Sequence, residues 1–394
     1  MATVANVETI VAGIDADTLT IATLISKGTI NLGDGADKLT LGDFANVLSV
    51  SNIETVIGGS ANDTITVSTA VADGLFDLGA GIDKLSFGAY NNVATISNVE
   101  TFTGGASTDT ITLGSALTTG MTIDLSGGAD SLTLGNFTNT GSVAGVESLL
   151  GNAGSDTVTY TNQVVGGVID LAGGTDKLTF ANASNSATVS NVESIVGGTG
   201  MDTVTIGTQL SNASIDLGAG SDKLTLGDFA NTVSIANTET VIGGAAADTI
   251  TMTGGASQIR GGGGIDHVTG SAAADTFVFD QNSVGSHMVV MNMGTGGDRI
   301  GLDTDASSTV NTNTYDTTGT LTNNGNLKAV ANSASLMTTT LSTGGKGGFV
   351  YQQDTGELYY SANGDFTSGG TLIGVITTDG STPWTYDATK FLDV

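Results

Sequence analysis

The sequence predicts an all-β chain wound as a right-handed parallel β-helix, a solenoid closed by a C-terminal β-rich cap, and three observations point there. Glu8, Glu54, Glu100, Glu147, Glu193 and Glu239 recur at steps of 46, 46, 47, 46 and 46, so most of the 394 residues are one unit repeated. Periods of this size, each copy too small to bury a core alone, mark a solenoid whose neighbours complete one another. Short runs of Val, Ile and Thr lie between glycines, 59 Gly against the single Pro383, and almost no stretch carries a 3.6-residue apolar period.

Composition narrows the function. Acids outnumber bases 39 to 10, for a formal charge of −29, and Asp dominates because Glu357 is the only glutamate outside the periodic six. Such a polyanion lacks the Lys and Arg that bind nucleic acid or an anionic membrane face; cations are its natural partners. Cysteine is absent, so something other than disulfides must staple the chain. No apolar run approaches the length of a bilayer span, and membrane insertion is not expected. The opening MATVANVETIVAGIDADT has no basic segment followed by an apolar one, so export would depend on a signal elsewhere.

One unit, read from Asn52, is NIETVIGGSANDTITVSTAVADGLFDLGAGIDKLSFGAYNNVATIS. It holds two glycine-rich turns, each followed by an Asp and a short strand. Asp17, Asp37, Asp63, Asp83, Asp109, Asp130, Asp156, Asp176, Asp202, Asp222 and Asp248 are spaced alternately near 20 and 26 residues, which reads as two coils per repeat with one such turn each. In the strands DTIT, DKLS and DSLT the apolar residues Ile65, Leu85, Ile111, Leu132 and Val158 are expected inside, with flanking Thr and Lys outside. On this reading the glutamates recur every two coils, about 10 Å apart. With Asn52, Asn98, Asn191 and Asn237 beside them they read as turn hydrogen bonding, with a shared cation as the alternative.

Aspartates stacked at the strand spacing of about 4.8 Å would repel one another. Each pair costs roughly 1 kcal/mol in bulk water and roughly 3 to 4 at an effective dielectric of about 20. A dozen neighbours sum to on the order of 10 to 40 kcal/mol, against a typical net stability of about 5 to 15. A divalent cation between coils turns the same carboxylates into ligands. Calcium fits best, because it takes oxygens from carboxylates and carbonyls in flexible geometry, whereas magnesium demands a rigid octahedron and holds its water.

The residues from Gly243 to Val278 read GGAAADTIT, MTGGASQIR, GGGGIDHVT and GSAAADTFV. They resemble the GGxGxDxUx repeat of the RTX (repeats-in-toxin) proteins, calcium-binding β-roll solenoids. GGTGMDTVT at 197–205 is also a full match, and LGAGIDKLS at 78–86 and LGAGSDKLT at 217–225 miss only the first glycine. The resemblance implies several bound Ca2+, with carbonyls of positions 1, 3 and 5 and the position-6 carboxylate as ligands. Carried across, it assigns Asp37, Asp83, Asp130, Asp156, Asp176, Asp202, Asp222 and Asp266, each two residues after a glycine. Ala61, Ser107, Ala246 and Ala273 replace that glycine before Asp63, Asp109, Asp248 and Asp275, where weak or empty sites are expected; Asp17 opens the same series. The family's coils turn this way on both edges. Here one edge is expected to be calcium-lined and the other closed by loops such as GDFANVLSVSN at 42–52.

Three regions follow: degenerate two-coil repeats over 1–242, regular coils over 243–280, and a C-terminal cap and secretion domain over 281–394. After Asp280 the period is read as stopping. GGDRIGLD at 296–303 opens the last region, a Thr/Asn/Ser-rich stretch runs to about 342, and GGFVYQQDTGELYYSANGDF reads as two strands around Asp354, Thr355 and Gly356. The FVY, TGELYY and NG elements, with the ending FLDV, are similar to the C-terminal domains of RTX exoproteins exported by type I systems. That resemblance implies an extracellular or bacterial cell-surface protein that meets the type I secretion machinery.

Catalysis is not expected, because His267 and His287 are the only histidines and no HExxH, GxSxG or cysteine nucleophile occurs. His267 is expected on the surface. The expected function is a secreted, calcium-dependent structural protein that self-associates into a surface layer or extracellular filament, with cell-surface polysaccharide as a further partner. The alternatives are the calcium-binding tail of a larger adhesin or enzyme, and ice binding through Thr-x-Thr pairs, which Lys38, Lys84, Lys177 and Lys223 interrupt.

Overall fold

The computed structural model describes residues 1–280, 286–294, 296–303, 327–336, 339, 341, 348–361 and 364–393. These are almost wholly strand and turn, stacked as a parallel β-solenoid, with a short α-helix at Ser333–Leu336 and a 3-10 turn at Ala388–Lys390. The chain divides into two compact units, Met1–Val192 and Glu193–Val394.

In the N-terminal unit successive strands go alternately to two parallel sheets. Thr55–Gly59, Gly74–Gly79 and Val93–Ser97 are neighbours in the first; Thr64–Val67, Lys84–Phe87 and Thr101–Thr103 are neighbours in the second. Alternate side chains of each strand face inward, so β-branched and aliphatic residues stack into one apolar column per position. Ile65 pairs with Leu85, Leu85 with Phe102 and Ile111 with Leu132. Ile65, Leu85, Ile111, Leu132 and Val158 are all fully buried, as the D-x-U-T pattern predicts. Phe87 packs against Phe76 and Phe102 with ring centroids 5.1 Å apart in each pair.

The register corrects the expected coil size. One full coil takes 17 residues from Val93 to Thr110, 20 from Thr64 to Lys84 and 21 from Thr110 to Ser131. The repeat is not two coils of 20 and 26 residues. The 26-residue step from Asp37 to Asp63 contains three strands, Lys38–Thr40, Val47–Ser51 and Thr55–Gly59, and is therefore one and a half coils. A 46-residue repeat carries five strands, so Thr55–Gly59 lies in the first sheet and its counterpart Thr101–Thr103 in the second. Consecutive repeats present the same residues at opposite corners. The expectation of one acidic edge and one edge of ordinary loops is thereby overturned: both edges carry the aspartate turns.

In the C-terminal unit the coils do not stop at Asp280. His287–Met291 pairs in parallel with Ile265–Thr269, and Arg299–Asp303 with Thr276–Asp280, and Asp298 precedes the second of these added strands. The cap then closes both sheets. Phe391–Asp393 adds to Arg299–Asp303 and Thr371–Ile376 to His287–Met291, both in parallel. Gly348–Gln352 and Glu357–Ser361 form the expected antiparallel hairpin, and the second of these strands pairs with Thr371–Ile376. Tyr351, Trp384, Tyr386 and Phe391 cluster beneath it with ring centroids 5.6 to 6.2 Å apart, and the Tyr351 hydroxyl donates to the Trp384 carbonyl at 2.6 Å. Most of the Thr/Asn/Ser-rich stretch (304–326), Asn363 of the NG pair and Val394 of the FLDV ending lie outside the described residues.

Candidate functional site

At these corners the residue that precedes or opens the strand is turned into the solenoid. Asp37, Asp63, Asp83, Asp109, Asp130, Asp156, Asp176, Asp202, Asp222, Asp248, Asp266 and Asp275 all occupy such positions and are at most 2 % exposed, while Asp17 in the first coil is half-buried. Thirteen assigned aspartates thus share one structural role.

Beyond the first coil, these carboxylates accept backbone N–H groups of the coil before them. The Asp63 N–H donates to Asp83 Oδ1 at 2.6 Å, Asp109 to Asp130 at 2.7 Å and Asp156 to Asp176 at 2.6 Å. In the first coils Asp17 donates to Asp37 at 2.7 Å. In the C-terminal unit Asp202 donates to Asp222 at 2.7 Å, Asp248 to Asp266 at 2.9 Å and Asp275 to Asp298 at 3.0 Å. These are charge-assisted bonds, with backbone amides serving the ionised side chain.

The glutamates belong to the same columns. The Asp37 N–H donates to Glu54 Oε2 at 2.7 Å, Asp83 to Glu100 at 2.7 Å, Asp130 to Glu147 at 2.8 Å and Asp222 to Glu239 at 2.8 Å. The expected separate glutamate series, two coils apart, does not hold, because Glu54, Glu100, Glu147 and Glu239 each stand one 17-residue coil beyond an Asp. The neighbouring asparagines do bond along the turns: Asn52 Nδ2 donates to Asn31 at 2.8 Å and Asn98 Nδ2 to Asp77 at 2.7 Å, both from left-handed backbone at φ of 52° and 53°.

The second carboxylate oxygen sorts the aspartates into two groups. In Asp17, Asp63, Asp248, Asp275 and Asp298 it accepts an N–H from its own turn four residues earlier, at 3.5, 3.4, 3.1, 2.7 and 3.0 Å. In Asp37, Asp83, Asp109, Asp130, Asp156 and Asp222 Oδ2 is buried with no hydrogen-bond partner. All of these six except Asp109 follow a glycine two residues earlier. Unsatisfied buried charge is expensive, and an oxygen left this way in a native fold calls for a ligand or a proton.

The surroundings of these oxygens suit a hard cation. A β-carbon at Gly151 would lie 2.6 Å from Asp156 Oδ2 and 2.7 Å from the Leu171 carbonyl oxygen of the next coil. Gly104 has the same setting between Asp109 Oδ2 and the Leu125 carbonyl. The space that glycine leaves open is bounded by a carboxylate oxygen and a main-chain oxygen, the donor types calcium takes. Among the described residues no three acidic or histidine side chains converge to hold an ion by themselves. A cation held here would have to take main-chain carbonyls as well as carboxylates.

Burial pushes the Asp83 and Asp130 carboxyls up to about 6; the amides of Asp63 and Asp109 oppose the rise, and the charges of those aspartates and of Glu100 and Glu147 add to it. Asp266 is likewise raised to about 6 by burial. Asp109, Asp156 and Asp222 move in the same direction for the same leading cause.

Two sets of residues escaped the sequence reading. Asp298 is fully buried and continues the series past Asp275. Asn46, Asn92, Asn139, Asn185 and Asn231 are buried corner residues whose 46- and 47-residue steps were there to be counted. His267 is exposed, as expected. Successive Thr-x-Thr pairs fall on opposite sheets; within one of them Lys84 separates Thr64 from Thr101, while Thr66, Ser86 and Thr103 stand in one unbroken hydroxyl column. Compared with protein-family models and with curated proteins, the chain matches none.

Proposed function

We propose that this is an exported structural protein of the RTX type, whose solenoid becomes stable when calcium occupies the corner carboxylates and which then assembles into a surface layer or extracellular filament. The six buried, unpartnered Oδ2 atoms carry this reading. Asp37, Asp83, Asp109, Asp130, Asp156 and Asp222 would hold the ions, aided by carbonyls such as those of Leu125 and Leu171. Bound calcium would supply charge neutralisation between coils and nothing catalytic. The protein's own contribution is to stack carboxylates and carbonyls on a rigid frame, with glycine leaving room between them.

Linkage connects the site to export. Sites tuned to extracellular calcium have dissociation constants of about 10⁻⁴ to 10⁻³ M. Inside a cell the carboxylates would repel and the chain would remain extended enough for type I export; outside, ion binding would supply folding free energy.

The test is circular dichroism and thermal melting of the purified chain in millimolar calcium and in EGTA at low ionic strength, followed by electron microscopy of both samples. A large loss of β signal or melting temperature in EGTA is expected, with ordered assemblies only in calcium. An identical melt in both buffers would sink the calcium dependence, and dispersed particles in calcium would sink the assembly.

A further inference from the structure

The corner columns are not unbroken acid ladders. Along one corner of the N-terminal unit the Ile25 N–H donates to Asn46 Oδ1 at 3.1 Å, Asn46 to Asp63 at 2.9 Å, Asp63 to Asp83 at 2.6 Å and Asp83 to Glu100 at 2.7 Å. At the opposite corner Val71 donates to Asn92 at 3.1 Å, Asn92 to Asp109 at 3.0 Å, Asp109 to Asp130 at 2.7 Å and Asp130 to Glu147 at 2.8 Å. The order is aliphatic, Asn, Asp, Asp, Glu. The Leu117 N–H then meets Asn139 at 3.0 Å and starts the next set.

The asparagine and the second aspartate stand in opposite electrostatic settings. Asn46 Nδ2 donates to Asp63 Oδ1 at 2.9 Å in addition to the backbone N–H, and Asn92 Nδ2 does the same for Asp109 at 2.8 Å. In the C-terminal unit Asn231 Nδ2 reaches Asp248 at 2.8 Å. A neutral amide thus supplies two donors to the first carboxylate of each set. The second aspartate, Asp83 or Asp130, receives one N–H, keeps a buried unpartnered oxygen and faces a glutamate on the next coil.

Resting on the calcium reading above, we infer that the ions bind in separate blocks, each running from the first Asp to the Glu, with Glu54, Glu100, Glu147 and Glu239 on the ligand side and the Asn coils as insulators that take no ion. Ions within a block share carboxylates and bind together, whereas an Asn and an aliphatic coil keep neighbouring blocks of a column apart. Sidedness follows from the odd number of strands per repeat, which places consecutive blocks at alternate corners.

The full chain, with Glu100→Gln and Asn92→Asp as variants, tests this by equilibrium dialysis against calcium and by melting in EGTA. E100Q is expected to bind fewer ions than the parent and to gain less melting temperature from calcium, while its metal-free melt stays the same or rises. N92D is expected to melt lower than the parent in EGTA, since an acid replaces the amide that serves Asp109, and to recover in calcium. Unchanged ion number and midpoint in E100Q, or a parental EGTA melt for N92D, overturns the block assignment. Should either variant fail to fold in both buffers, Glu147→Gln and Asn139→Asp repeat the test at the next positions. A parent chain that binds no calcium at all removes the calcium reading itself, whereas a calcium-binding parent with an indifferent E100Q removes only the blocks.

Discussion

At the scale of single residues, the decisive atom is the second carboxylate oxygen. A buried acceptor left without a donor costs about 1 to 3 kcal/mol, and more when it is charged. Asp130 is such a case: Oδ1 takes the Asp109 N–H at 2.7 Å and Oδ2 is buried without a partner. Asp130→Asn keeps the acceptor for Asp109 and removes the charge. In EGTA this variant is expected to be more stable than the parent by about 1 to 3 kcal/mol, and in calcium it should fall behind. Urea denaturation in both buffers reads the crossover; a variant less stable than the parent in EGTA would mean that the carboxylate is already satisfied without metal. Gly128, two residues earlier, shows why the turn needs glycine: its φ is 157°, and a β-carbon there would lie 2.7 Å from Asp130 Oδ1.

At the scale of elements, each strand contributes one or two inward side chains to a column, so the core is a set of apolar stacks rather than a single cluster. Leu132 is fully buried and lies in register between Ile111 and Leu149. Leu132→Ala should cost about 2 to 5 kcal/mol, the range for a buried leucine whose cavity cannot collapse. Because solenoid stability is carried by nearest-neighbour interfaces, the amides of Thr110–Leu113 and Ser148–Leu150 should lose hydrogen-exchange protection before those of Thr18–Ile21. Uniform loss along the unit would contradict this one-dimensional behaviour. The inward positions of Ile65, Leu85 and Leu132 were legible because period-2 alternation is a local property of a strand. Coil parity was not, because the step from Asp37 to Asp63 looks like one long coil until its three strand runs are counted. The role of Glu100 is not legible for the same reason, since its relation to Asp83 depends on a full coil of 17 residues. Asn92 carries no charge to mark it in the sequence, although its period equals that of the glutamates.

At the scale of the whole molecule, acid spread over both corners sets how stability responds to pH. Asp83, Asp130 and Asp266 have folded-state pKa values raised from 3.8 to about 6, so the metal-free fold binds their protons more tightly than the unfolded chain does. The sign follows from linkage: the stabilisation by these protons is fully present below the unfolded value near 4 and is lost as pH rises through about 6. Metal-free protein should therefore gain melting temperature, or gain β signal where it begins unfolded, on acidification from pH 7 to pH 4.5. Calcium-loaded protein should do the reverse, because protons compete with the ion for the same oxygens. Relief of the overall charge of −29 also favours the compact state at low pH, but repulsion between exposed charges is screened beyond about 10 Å in 0.1 M salt. Melting scans in EGTA with and without 0.5 M salt separate the two contributions. A pH response that survives salt belongs to the buried carboxyls; one that salt abolishes belongs to the surface, and would show that the corner aspartates titrate like ordinary exposed acids.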